Sequence, residues 1–179
     1  MANKEIELKF IIDQEKRGII ESDLHNIAKF ESEKRQIDTY YIPNFKSFEV
    51  NGETKECVRI RESNSKAILC YKNIHREATP VYCDEYELEV SSKDEMEKIL
   101  FALGFSVQMV IDKKRKTYSY ENFEFDFDTV NGALELFEVE LKDNNASVDT
   151  ILDFVNKYGL SKEDVTYRGI QLLVKDLGL

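Results

Sequence analysis

Glu5-Ile6-Glu7-Leu8-Lys9-Phe10 is the stretch that decides the fold. Successive side chains of a β-strand point to opposite faces of the sheet. The three apolar residues of this stretch therefore share one face, and its three charged residues share the other. The alternation predicts a strand with one buried apolar face and one charged face.

The same alternation recurs along the chain, in strands that carry charges at every second position. These are Arg59-x-Arg61, Glu85-x-Glu87-x-Glu89, Glu124-x-Asp126-x-Asp128 and Glu138-x-Glu140. Their charged faces could all meet solvent, as in an ordinary one-sided sheet. They could equally line one shared channel, because a closed sheet can carry a polar interior. The pattern alone leaves both arrangements open.

The remaining segments predict helices and antiparallel strands. Apolar residues at helical spacing indicate helices within 13–30, 92–103 and 148–155, and a last helix that begins with a cap formed by Ser161 and Asp164. Further strands are predicted at 38–42, 56–61, 66–72, 110–120, 122–129 and 136–141, and a long loop from Asn73 to Asp84. The predicted order is β-α-β-β-β-β-α-β-β-β-α-α.

Composition limits the class of protein. A chain of 179 residues is expected to form a single domain, spanning 1–179. The net charge of −10 argues against nucleic acid or an anionic membrane as a partner, but not against a small anion held by local basic groups. Three cysteines without Cys-x-x-Cys spacing indicate reduced thiols. With no signal or membrane-spanning segment evident, we expect a cytoplasmic protein.

Seven motifs in order resemble the CYTH superfamily, also called triphosphate tunnel metalloenzymes. They are the opening Glu-x-Glu-x-Lys strand, Asp38-Thr-Tyr-Tyr41, Arg59-x-Arg61, Tyr71-Lys72, Glu85-x-Glu87-x-Glu89, Lys113-x-Arg115-x-x-Tyr118 with Asp128, and Glu138-x-Glu140. The resemblance covers about Glu5 to Tyr167. It implies an α+β fold: a closed or nearly closed antiparallel eight-stranded β-barrel, with a charged interior (the triphosphate tunnel) and helices packed outside.

The resemblance also implies roles for the charged residues. Carboxylates are hard ligands suited to Mg²⁺ or Mn²⁺, and the implied metal ligands are Glu5, Glu7, Asp128, Glu138 and Glu140. Basic side chains grip phosphate oxygens, and the implied triphosphate-binding residues are Lys9, Arg59, Arg61, Lys72, Lys113 and Arg115. The residues expected to carry catalysis are Glu5, Glu7, Lys9, Lys72 and Arg115. The expected supporting residues, one of which orients the interior arginines, are Glu85, Glu87 and Glu89.

Some features fit the family less closely. The late glycine motif of the family lacks its second glycine here, where Gly132-Ala-Leu-Glu-Leu136 stands. The ending Tyr167-Arg168-Gly-Ile-Gln-Leu172 matches only loosely, so the role of Arg168 stays open. Glu124 and Asp126 are expected to lie in solvent near the barrel mouth.

The resemblance leaves the reaction open between two chemistries. A triphosphatase uses water to release orthophosphate from tripolyphosphate, ATP or thiamine triphosphate, whereas a class IV adenylyl cyclase converts ATP to cyclic AMP and pyrophosphate. Since no residue is identifiable as an adenine reader, we favour the triphosphatase. A non-catalytic polyphosphate-binding module is a third alternative. The family also makes a homodimer an open alternative.

Overall fold

The computed structural model describes residues 3–75, 82–142 and 147–179, with side chains from Ile6 onward. The strands are β1 (Asn3–Ile12), β2 (Lys29–Pro43), β3 (Glu49–Val50), β4 (Glu53–Thr54), β5 (Glu56–Ser63), β6 (Lys66–His75), β7 (Tyr82–Val90), β8 (Phe105–Tyr120), β9 (Phe123–Val130) and β10 (Leu134–Leu141). The α-helices are α1 (Gln14–Ile27), α2 (Lys93–Ala102), α3 (Val148–Val155) and α4 (Ile170–Leu177). Two short 3₁₀-helices span Asn156–Tyr158 and Lys162–Asp164.

Eight of these strands form a closed antiparallel barrel in the order β1-β10-β9-β8-β2-β5-β6-β7. The predicted α+β barrel and its element order are therefore confirmed, with the small β3–β4 hairpin as an addition. Closure between β1 and β7 rests on a short ladder, in which Asn3, Lys4 and Glu5 pair with Glu85, Asp84 and Cys83.

The C-terminal part of the chain occupies the edge of β1 that β7 leaves unpaired. Val165 forms an antiparallel bridge with Phe10, and the Thr166 amide donates a hydrogen bond of 2.8 Å to the Lys9 carbonyl. Since β10 pairs with the opposite edge of these residues, this segment completes the barrel wall beyond the short ladder. The same segment leads directly into α4.

Helices α1, α2 and α3 cover the apolar outer face of the barrel. Ile20 of α1 and Ile151 of α3 are fully buried in one cluster with Phe125, Phe127 and Phe137 of the outer face. Helix α2 adds Leu100 to a second cluster over β2 and β5. Burying such side chains contributes roughly 1.5–3 kcal/mol each to stability, so these contacts fix the helices against the barrel.

Helix α4 does not follow the prediction that helices pack outside the barrel. Its residues Ile170, Leu173 and Val174 pack against side chains on the inward faces of the strands, including Ile111 and Leu136. The inward positions at this end of the barrel are apolar rather than charged, so they require a hydrophobic cover. Helix α4 therefore fills one end of the barrel.

Several predicted boundaries were wrong, among them the start of β8, which lies at Phe105 rather than at Val110. The loop predicted from Asn73 to Asp84 is shorter, because β6 runs to His75 and β7 begins at Tyr82; residues 76–81, and with them the question of a lid, lie outside the described residues. Ser161 and Asp164 form a capping box on the 3₁₀-helix at 162–164 rather than on α4. Strand β2 begins at Lys29, well before the predicted start, since its polar first half is held by pairing with β8.

No helix within the described residues is long and apolar enough to cross a membrane.

Candidate active site

The interior of the barrel holds a cavity of about 270 Å³. Its basic lining residues are Lys9, Arg59, Arg61, Lys72, Lys113, Arg115 and Lys142. Its acidic lining residues are Glu7, Glu85, Glu87, Glu124, Asp126, Glu138 and Glu140. The charged strand faces therefore turn inward to one shared channel, and seven positive charges face seven negative ones. The alternative of a solvated sheet is excluded for these strands.

Asp128 anchors two of the basic residues from behind the cavity wall. The Nε and Nη2 atoms of Arg115 donate to its two oxygens at 2.7 and 2.6 Å, and Lys113 Nζ lies 2.9 Å from Oδ2. Asp128 is fully buried and does not line the cavity. With both oxygens engaged, its placement does not support the predicted role as a metal ligand and instead fits a residue that positions Lys113 and Arg115.

Asp126 faces the cavity where Asp128 does not, which corrects the expectation of a solvated side chain. Its Oδ1 accepts a hydrogen bond of 2.6 Å from the Thr117 hydroxyl, and its Oδ2 lies 2.5 Å from Arg115 Nη1. These contacts hold Asp126 in the wall, 8% exposed. The other acid of this strand predicted to be solvated, Glu124, is half-buried and pairs with Lys142 at 3.1 Å.

Glu138 joins the two sides of this cluster. Its Oε1 lies 3.0 Å from Lys9 Nζ, and its Oε2 accepts a hydrogen bond of 2.5 Å from Arg115 Nη2. Burial raises the pKa of the Glu138 carboxyl, but the charges of Lys9 and Arg115 lower it by more. The pKa of Glu138 is therefore well below its usual range. Glu138 is therefore a carboxylate that already holds two of the predicted phosphate-binding cations.

The pKa values of two cavity residues are shifted in directions that a bound cation and a bound anion would each reverse. Burial, together with the charge of Glu138, raises the pKa of Asp126 in spite of the nearby Arg115. Burial and the charge of Arg115 lower the pKa of Lys113 to about 8. A bound cation would favour the charged form of Asp126, and a bound anion would favour the charged form of Lys113, because a nearby opposite charge offsets desolvation.

Asp38 is a site residue that sequence reasoning missed. The Arg61 Nε and Nη2 atoms donate to its two oxygens at 2.7 and 2.8 Å, in a bidentate pair. Asp38 is the cross-strand partner of Arg61 in the β2–β5 ladder and is 1% exposed. Its motif was recognised in the sequence, but its partner follows only from the register of the ladder.

Arg59 differs from Arg61 in having no such partner. Its guanidinium lies 3.7 Å from Asp38 and 3.8 Å from Glu85, beyond hydrogen-bonding distance. Its Nε is buried and has no hydrogen-bond partner in the part of the chain that the structure describes. An unsatisfied buried donor is costly, and Arg59 also lines the cavity, so an anionic ligand there would stabilise its guanidinium.

The three predicted supporting glutamates lie in different surroundings. Glu85 lies 3.1 Å from Lys72 Nζ, so it holds a predicted phosphate-binding lysine. Glu87 lines the cavity. One carboxylate oxygen of Glu87, one of Glu85 and the Cys70 sulfur lie within 4.8 Å of one another. Glu89 is exposed and pairs with Lys66 at 2.8 Å, away from the cavity. The structure therefore brings only the first two into the site.

The remaining predicted metal ligands lie on β1 and β10. Glu7 lines the cavity and makes no hydrogen bond or ion pair with any described residue. Glu140 pairs with Glu7 across the β1–β10 ladder and lies 2.9 Å from Lys142. The backbone of Glu5 pairs with β7, and its side chain lies outside the described part. Glu7 and Glu140 line the same cavity, and carboxylates are the ligands that a hard divalent cation such as Mg²⁺ or Mn²⁺ prefers.

We expect Arg59→Lys to weaken the use of a triphosphate ligand even though it preserves the charge. Lysine cannot reproduce the planar donor fork, so a loss of roughly tenfold in kcat/KM for tripolyphosphate is expected. The matched control is Arg35→Lys, which changes an exposed arginine paired with Asp112. If Arg59→Lys retained full activity where Arg59→Ala did not, charge alone would be sufficient at this position.

A closed barrel with a charged interior is the architecture expected of a triphosphate tunnel protein. Comparison with known families gives the same class. The model of the CYTH domain matches residues 3–170, so the chain belongs to the CYTH family. Members of this family are enzymes that act on triphosphates and generally depend on a divalent metal.

Several known proteins are similar over most of the chain. A candidate adenylate cyclase from Methanocaldococcus jannaschii is 26% identical over 166 residues, which cover 90% of this chain and 93% of that protein. The solved structure of a Pyrococcus horikoshii protein aligns with a TM-score of 0.76 at 27% identity and covers 93% of this chain and 97% of that one. A candidate adenylyl cyclase from Hippeastrum, described as having a dominant triphosphatase activity, aligns with a TM-score of 0.68 at 15% identity and covers 99% and 96%.

Proposed function

We propose that this protein is a divalent-metal-dependent triphosphatase that cleaves a triphosphate inside the barrel and releases orthophosphate. The observation that carries this proposal is the cavity itself, in which six basic residues predicted to bind phosphate lie beside carboxylates. Water attacks the terminal phosphorus, the bond to the bridging oxygen breaks, and orthophosphate leaves together with the shortened phosphate chain.

Residues of this chain supply the binding and positioning. Lys9, Arg59 and Lys72 face the cavity and bind the phosphate oxygens together with Lys113 and Arg115. Asp38 and Asp128 act from behind by holding Arg61, Arg115 and Lys113 in place. Fixed charges of this kind stabilise the charge that develops on the phosphate oxygens without reorganising during the reaction.

The metal would be held by carboxylates on the β1, β9 and β10 wall: Glu7, Glu138, Glu140 and, in place of Asp128, Asp126. Glu5 belongs to the same predicted set. A bound Mg²⁺ or Mn²⁺ would neutralise phosphate charge and favour attack by water. Glu138 and Asp126 also contact Arg115, so these two carboxylates would be shared between that arginine and the cation.

Adenylyl cyclase activity is the second candidate. It is favoured by the M. jannaschii relative, which is described as a candidate adenylate cyclase and shares the length of this chain. A cyclase must hold the ribose as well as the triphosphate, so that the 3′-hydroxyl reaches the α-phosphorus. The Hippeastrum protein, with the same fold and a dominant triphosphatase activity, supports the order in which we place the two reactions.

The products distinguish the candidates. The protein is incubated with Mg²⁺ or Mn²⁺ and either tripolyphosphate, ATP or thiamine triphosphate, and phosphate release is measured with chromatography of the nucleotides. We expect tripolyphosphate to be cleaved at least as efficiently as ATP, and ATP to give ADP and orthophosphate. A control without divalent metal is expected to give no product.

Two other outcomes would contradict the proposal. Cyclic AMP and pyrophosphate as the main products, with tripolyphosphate only as an inhibitor, would establish the cyclase. Tight binding of tripolyphosphate with no product from any substrate would establish a non-catalytic binding module.

A further inference from the structure

Helix α4 enters the barrel with its amino end toward the charged cavity. Gly169, Ile170 and Gln171, at its start, line that cavity. Leu173 and Val174, further along the helix, pack in the apolar cluster at the barrel end, and Lys175, near the carboxyl end, does not line the charged cavity. The helix axis therefore points from the cavity outward, amino end innermost.

This amino end carries no cap of its own. The N-cap residue is Gly169, which offers no side-chain acceptor, and the first turn contains no acidic residue. The first N–H groups of a helix have no acceptor within the helix, and Ser, Thr, Asp or Asn usually supplies one. The amino end also bears the positive end of the helix dipole. Among the described residues the Ile170 and Gln171 amides have no backbone acceptor, so the amino end presents donors and partial positive charge to the cavity.

Glycine at the N-cap allows the helix to sit this deeply. A Cβ atom on Gly169 would lie 2.5 Å from Thr54 Oγ1 and 2.7 Å from Gln171 Oε1. Any larger residue would require the Thr54 and Gln171 side chains to shift. The glycine therefore removes a capping side chain and also permits the close approach.

Arg59 supplies an independent indication that an anion binds here. Its side chain is nine-tenths buried, lines the same cavity, and has an Nε without a partner in the described part of the chain. It follows Cys57 on the inward face of β5, and Cys57 packs in the cluster that contains α4. Arg59 is therefore the next inward residue of β5 after the contact with α4. The Arg59 guanidinium and the N–H groups at the start of α4 thus lie at the same end of the cavity.

We infer that the amino end of α4 is part of the triphosphate-binding surface. Together with Arg59, it binds the terminal phosphate group of the triphosphate. The N–H groups of Ile170 and Gln171 donate to its oxygens, as helix amino ends do in other phosphate sites. The inference rests on the proposed function, since it requires a phosphate chain in the cavity. It adds backbone donors that no side-chain motif reveals.

The test removes one of these N–H groups. Proline is well tolerated at the first helical position, so Ile170→Pro deletes the donor while it preserves the helix. Ile170→Val is the control, because it trims the same side chain and retains the N–H. With tripolyphosphate as the probe, in EDTA to prevent turnover, calorimetry is expected to give a Kd about tenfold weaker for Ile170→Pro than for Ile170→Val. Equal affinities of the two folded variants would overturn the inference.

A second measurement needs no variant and decides the matter if Ile170→Pro does not fold. In the ¹⁵N-labelled full chain, the amide protons of Ile170 and Gln171 are expected to move downfield as tripolyphosphate is added. If these two amides stay unchanged while those of other cavity residues move, the inference is wrong and the proposed function stands. Wild-type protein that neither binds nor cleaves tripolyphosphate would overturn the proposed function, and this inference with it.

Discussion

Glu7→Gln is expected to reduce the turnover of tripolyphosphate by about a hundredfold or more while the protein stays folded. Glu7 lines the cavity and has no hydrogen bond or ion pair with a described residue, so its carboxylate is available to a metal. The amide that replaces it has nearly the same shape but no charge. Phosphate release at saturating Mg²⁺ measures the effect, and thermal unfolding verifies that the fold is retained.

The control for this prediction is a glutamate outside the site. Glu33→Gln removes a carboxylate from an exposed position on β2 and is expected to leave turnover unchanged. Near wild-type activity of Glu7→Gln at saturating metal would remove Glu7 from the proposed metal ligands. A rise in the metal concentration needed for half-maximal activity would support the assignment.

Asp38→Asn is expected to be the most destabilising of the substitutions considered, by about 3–5 kcal/mol in the free energy of unfolding. Asp38 is 1% exposed and holds the Arg61 guanidinium bidentately, with Arg59 nearby. Without its charge, two buried guanidinium groups lose their main counterion. Urea or thermal unfolding measures the change, and a loss below about 1 kcal/mol would contradict it.

The pH dependence of stability gives the same interaction a second signature. Although burial opposes it, the charges of Arg59 and Arg61 lower the pKa of Asp38 from its ordinary value of 3.8. A carboxyl whose pKa is lower in the folded protein than in the unfolded chain contributes its full stabilisation above the unfolded pKa. That stabilisation is lost as the pH falls from the unfolded pKa through the folded pKa. Unfolding free energy is therefore expected to fall more steeply below about pH 4 in the wild type than in Asp38→Asn.

Asp112→Asn is the matched control for both measurements. Asp112 also pairs with an arginine, Arg35 at 2.6 Å, but both side chains are largely exposed on the outside of the barrel. Exposed ion pairs are screened by water and contribute about 0–1 kcal/mol. The contrast between the two aspartates isolates the effect of burial.

Much of the strand arrangement could be predicted because charge alternates with apolar residues at a period of two. That period defines which side chains share a face without knowledge of the neighbouring strands. Together with the turn signals, it predicted the barrel strands in their order along the chain. It failed for the first half of β2, where Lys29 to Gln36 has no apolar alternation and is held by pairing with β8.

The sequence by itself determined the two faces of most strands, helices within 13–30, 92–103 and 148–155, and many of the charged residues that line the tunnel, because these follow from local spacing and from the resemblance to a known family. Tertiary structure alone decided which charges meet. The depth of Asp126 relative to Asp128 and the pairing of Asp38 with Arg61 depend on strand register and on barrel closure, which join residues far apart in the chain. The position of α4 was decided in the same way. Its apolar stripe suits an outer face as well as the barrel end, and only the assembled barrel presents the inward apolar residues that it covers.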